Sequence, residues 1–88
     1  MVHLPERLVR IVVKLFANIA ERAGTRQVEL ELRDGATVGE VLEVLRQRWS
    51  KMTWNNGLML AVNREYADAA RALRDGDELA VIPPVSGG

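Results

Sequence analysis

The sequence has no cysteine, a single histidine, His3, and no excess of either charge. Each absence removes a class of function. Without cysteine there is no disulfide framework, no thiolate nucleophile and no cysteine zinc site. Small secreted domains often depend on such staples, so the composition fits a reducing cytoplasm. Basic and acidic residues balance at 12 each, whereas a nucleic-acid-binding domain usually shows a basic surplus. No stretch approaches the ~20 apolar residues that a membrane helix requires. The opening "MVHLPERLVRIVVKLF" does not read as a signal peptide. Arg10 and Lys14 interrupt its apolar run, and no small-residue cleavage pattern follows.

What remains is an ordinary globular mixture, 48% apolar and 27% charged over 88 residues. That predicts one small domain with one core. Residues 8–16, "LVRIVVKLF", alternate: Val9, Ile11, Val13 and Leu15 share one face, which predicts a strand. Leu8, Val12 and Phe16 make the other face only partly polar, so the strand is central or its outer face is covered. "ANIAERAG" predicts a short helical turn stopped at Gly24. "QVELEL", residues 27–32, alternates cleanly with Val28, Leu30 and Leu32 inward, and "RDG" follows as a turn.

The strongest helix signal is "TVGEVLEVLRQRW", residues 37–49. Thr37 and Glu40 have the spacing of a capping box. Val38, Val41, Leu42, Leu45 and Trp49 fall on one helical face. Gly39 costs roughly 1 kcal/mol against alanine, which suggests a close approach of helix to sheet. "SKMTWNNG" predicts a loop. "LMLAVN" is an apolar strand, followed by a tight turn at Asn63-Arg64, a short strand around Tyr66 and one helical turn before Leu73. "RDGD" is another turn, and "ELAVIPP" is the last strand, whose prolines end its pairing. The layer solution open to this order is α+β: one main helix on one mixed sheet. This is the ubiquitin-like β-grasp, with first and last strands parallel and adjacent in the middle.

Side-chain chemistry is sparse. His3 stands alone near the start of the chain, and Ser86 has no base near it in sequence. Glu29 and Glu31 read as the solvent face of a strand. Asp75 and Asp77 flank Gly76 in a turn, where aspartate bonds the backbone. Neither pair has the setting of a glycosidase or a calcium loop. No phosphate-binding glycine loop is present, and no metal site is expected. Trp49 reads as core; Trp54, in a loop, is left open as a stacking residue.

The terminus is different. "PPVSGG" can build neither helix nor sheet interior. The two glycines make the thinnest possible backbone thread, and the two prolines hold the start of it extended. Six extended residues reach about 20 Å. Such a tail can enter a narrow channel and present its terminal carboxylate to another protein's active site. ATP can activate a carboxylate as an acyl adenylate. Sulfur attack then gives a thiocarboxylate, and amine attack an isopeptide. The expected division is a β-grasp domain over residues 1–82 and an extended tail over residues 83–88.

Over about residues 10–88 the chain resembles the MoaD family, the ubiquitin-like sulfur carriers that form the small subunit of molybdopterin synthase and are related to ThiS. "KLFA" followed by "ERAGT", then "TVGEVLEVL", "LAVNREY" and "LRDGDELAVIPPVSGG" carry the resemblance. The two prolines favour the molybdopterin branch over the thiamine-pathway carrier. The resemblance implies that a MoeB-like, E1-like adenylating enzyme uses ATP to load AMP onto Gly88. A sulfur donor protein then supplies the thiocarboxylate. Gly87 permits passage of the tail into a MoaE-like large subunit, where sulfur passes to cyclic pyranopterin monophosphate to make molybdopterin. It also implies that the catalytic side chains lie on the large subunit and that this chain holds no permanent cofactor, is cytoplasmic and meets neither nucleic acid nor membrane. Phe16, Tyr66 and Ile82 match the family's partner-binding patch, and Pro83, Pro84, Val85 and Ser86 its inserting tail. One departure stands out: the family usually carries arginine directly before the glutamate of the first turn, where this chain has Ala20, with Arg22 after it. The same activated glycine would also serve a protein modifier or a carrier feeding tRNA thiolation, thiamine or cysteine synthesis.

Overall fold

The computed structural model describes residues 7–51 and 57–84. Seven elements follow in order: β1 (Leu8–Leu15), α1 (Ala17–Ala23), β2 (Gln27–Arg33), α2 (Val38–Arg48), β3 (Met59–Val62), β4 (Glu65–Tyr66) and β5 (Glu78–Ile82). The five strands form one sheet in the order β2-β1-β5-β3-β4. β1 and β5 are parallel at its centre, with Val13 opposite Leu79 and Leu15 opposite Val81. β2 pairs antiparallel with β1, and β3 antiparallel with β5. The β-grasp expectation is met.

Alternation decides what is buried. Val9, Ile11, Val13 and Leu15 are at most 3% exposed, and they join Leu79 and Val81 of β5 and Val62 of β3 on one face. α2 lays Val38, Val41, Leu42 and Leu45 over that face. Its start is fixed as the sequence predicts. The Thr37 side chain accepts from the Glu40 backbone N–H, and the Glu40 carboxylate accepts from the Thr37 N–H. α1 ends at Gly24, whose φ of 77° is the left-handed conformation glycine adopts at low cost.

Two expectations are corrected. The stretch before Leu73 forms no helix; it holds a turn at Ala69–Ala70 and then a bridge between Ala72 and Thr37. Val38 and Gly39 donate to the carbonyls of Arg71 and Ala69, so this segment satisfies the first amides of α2 instead of turning on itself. Gly39 does allow a close approach, but to that segment and not to the sheet: an added Cβ would lie 3.3 Å from the Ala69 carbonyl oxygen. Trp49 is half-buried against the core at the end of α2, with the Arg48 guanidinium 5.0 Å from its ring. Trp54 lies outside the described residues.

Candidate functional site

β5 runs up the middle of the sheet and stops at Ile82. Pro83 and Pro84 have no amide hydrogen to offer a neighbouring strand, so pairing ends there. Pro83 is half-buried and Pro84 exposed. An added Cβ at Gly57 would sit 3.9 Å from the Pro84 ring, which places the second proline against Gly57, just before β3. The chain therefore leaves the body from its central strand, between the end of β1 and the start of β3. Val85, Ser86, Gly87 and Gly88 lie outside the described residues, as does His3.

Around that exit the outer face of the sheet is apolar. Ile82 is opposite Met59, and the parallel register that sets Leu15 against Val81 brings Phe16 level with Ile82. One row below, Ala80 is opposite Ala61, and Ala61 is opposite Tyr66. Phe16 is 43%, Met59 41% and Tyr66 77% exposed; Ile82 is half-buried. The strands thus bring Phe16, Tyr66 and Ile82 to one face, as the resemblance implies, and none of them belongs to the core. Met59 was missed by the sequence reading. No signal within the apolar run of residues 58–62 marks it, and only the register that sets Met59 against Ile82 puts it on the uncovered face.

Two features shape the patch. The Asn63-Arg64 turn has positive φ at both residues, 50° and 72°, the hairpin geometry that aligns β4 on β3 and sets Tyr66 beside Ala61. The Asn63 side chain holds this turn to β5, donating to the Asp77 carboxylate at 2.9 Å and accepting from the Glu78 amide at 3.0 Å. Beside Phe16 a cleft of about 790 Å³ opens between α1 and the start of β2, bordered by Ala17, Ala20, Glu21 and Arg26. Lys14 closes the polar side of the patch with an ion pair to Glu78 at 3.5 Å.

The acidic pairs do structural work. Asp75 accepts from the Arg10 amide at 2.8 Å, and Asp77 from the Arg74 amide at 2.7 Å. Glu31 pairs with Arg10 at 3.2 Å on the exposed strand face. Among the described residues no three histidine, aspartate or glutamate side chains gather as a metal site, and no helix is long and apolar enough to cross a membrane. What the site offers is an exposed apolar face beside the point where β5 ends.

The ThiS family profile matches residues 13–88, through the last strand and the tail. The chain belongs to the ThiS family. A relative from Drosophila yakuba, "Molybdopterin synthase sulfur carrier subunit", is 37% identical over 84 residues, covering 92% of this chain and 93% of the relative. "Small archaeal modifier protein 1" of Haloferax volcanii is 39% identical over 84 residues, covering 85% of this chain and 97% of that one. Its crystal structure superposes with a TM-score of 0.77 over 88% of this chain and 99% of the other. A structure from Pyrococcus furiosus, "Putative molybdopterin converting factor, subunit 1", is 34% identical with a TM-score of 0.78, over 88% and 99% of the two chains. These relatives support a sulfur-carrier role for this ThiS-family chain.

Proposed function

We propose that this chain is the sulfur carrier of a molybdopterin synthase and that its reacting group is the carboxylate of Gly88. The carboxylate oxygen attacks the α-phosphate of ATP in an E1-like adenylating enzyme, forming an acyl adenylate and releasing pyrophosphate. Sulfide delivered by a donor protein attacks the acyl carbon, displacing AMP and leaving a thiocarboxylate. The tail, residues 83–88, then enters the large subunit, and the sulfur passes to cyclic pyranopterin monophosphate. The body contributes no catalytic side chain. It contributes β5, a central strand held on both sides, from whose end the tail leaves, and the patch of Phe16, Met59, Tyr66 and Ile82 for docking. An aromatic-rich apolar patch of this kind is how protein interfaces anchor.

The observation that carries this reading is that apolar patch at the point where β5 ends in two prolines. The name of the Drosophila yakuba relative, 37% identical, supports the substrate class. Deleting Gly88 tests it: sulfur transfer is abolished while circular dichroism and unfolding midpoint stay those of the parent. Retained transfer refutes the assignment. The Haloferax relative's name favours a second reading, in which a lysine of a target protein attacks the same adenylate. Isopeptide adducts ending in Gly88 in cells from its own host would identify it.

A further inference from the structure

The hydrogen-bond phase of β2 shows which of its backbone groups are left over. Leu15 donates to Arg26, and Asp34 donates to Arg7, both at 2.9 Å. With the register that sets Val13 against Val28 and Ile11 against Leu30, the residues bonded to β1 are Arg26, Val28, Leu30, Leu32 and Asp34. The N–H and C=O groups of Gln27, Glu29, Glu31 and Arg33 therefore point away from β1. The Thr25 hydroxyl takes those of Gln27, donating to its carbonyl at 2.9 Å and accepting from its N–H at 3.3 Å, and the Arg33 carbonyl accepts from the Ala36 amide at 3.1 Å. Left over are both groups of Glu29 and Glu31 and the N–H of Arg33. β2 is an edge strand, and among the described residues no strand pairs with it there. The open stretch from Glu29 to Arg33 is a template for another strand.

The side chains say what that strand should look like. On the outer face the free edge carries Glu29 and Glu31, both exposed; Glu31 already meets Arg10, while Glu29 lies opposite the apolar Val12. On the inner face Leu30 and Leu32 pack against the core yet remain half-exposed, because the sheet ends at β2. Pairing β2 with a second copy of itself about Leu30 would set Glu29 against Glu31 twice, and like charges directly opposite are unfavourable. A strand with basic residues facing Glu29 and Glu31 and apolar residues beside Leu30 and Leu32 meets both faces.

We propose that the free edge of β2 is a docking site for an extended segment of a partner protein in which basic residues alternate with apolar ones. Recognition is by strand addition: backbone bonds to Glu29, Glu31 and the Arg33 N–H supply affinity, and the alternating side chains supply selectivity. The site is separate from the patch at the tail and does not depend on the chemistry of Gly88.

The test titrates the ¹⁵N-labelled full chain with a blocked Lys-Val-Lys-Val-Lys peptide and follows amide shifts and hydrogen exchange. The peptide should shift residues 29–33 and slow exchange at the amides of Glu29, Glu31 and Arg33 at least tenfold. The same peptide methylated on alternate amides should lose this effect. Glu29→Lys with Glu31→Lys should weaken binding at least tenfold while the free protein keeps its spectrum, and a Glu-Val-Glu-Val-Glu peptide should then bind the variant. Shifts confined to the Phe16 face, protection unchanged by peptide, equal binding of the methylated peptide, or concentration-dependent self-pairing through β2 would each overturn the proposal.

Discussion

The two faces of β1 are made by one eight-residue strand, yet they serve different ends. Val9, Ile11, Val13 and Leu15 are buried on the inner face, the last three in one core with the apolar side of α2. Leu8, Arg10, Val12 and Lys14, with Phe16 just past the strand, stay at least partly in contact with solvent. If exposed apolar residues were scattered, they would need no explanation. Here Phe16, Met59, Ile82 and Tyr66 gather at the end of the sheet from which the tail leaves, while the other end carries the Arg10–Glu31 pair. The inner face holds the domain together, and the outer face is free to hold something else.

This contrast can be broken from either side. Leu45→Ala opens a cavity at a fully buried position and should cost roughly 2–5 kcal/mol, read as a lower midpoint in urea unfolding; an unchanged midpoint would remove Leu45 from the core. Phe16→Arg should leave stability within about 1 kcal/mol. It should weaken large-subunit binding by at least about 2 kcal/mol, roughly thirtyfold, measured by calorimetry; equal affinity would show that docking lies elsewhere. Thr37→Ala removes one half of the capping box and should cost about 0.5–2 kcal/mol without touching partner affinity. Lys14→Gln breaks an ion pair between half-exposed side chains, so stability should move by less than about 1 kcal/mol.

Much of this arrangement was legible in the sequence. The period-two alternation of β1 and β2 fixes the inner face residue by residue, and Thr37 with Glu40 fixes the start of α2. The prolines at 83 and 84 mark where β5 ends. What escaped was set by contacts remote in sequence. The segment before Leu73 looks helical by composition, but the amides at the start of α2 draw its carbonyls into a different path. Gly39 looked like a helix–sheet contact because the sequence does not show that Ala69 arrives there. Met59 was overlooked inside an apolar run, since such a run does not announce which of its faces is covered. The free edge of β2 follows only once strand order and register are known.

The most direct measurement is the intact mass of the protein after incubation with its adenylating enzyme, ATP and a sulfide source. The account predicts that the mass rises by the difference between one sulfur and one oxygen, that fragmentation places the change on Gly88, and that omitting ATP prevents it. An unchanged mass under conditions where the enzyme consumes ATP, or sulfur found on any other residue, would contradict it.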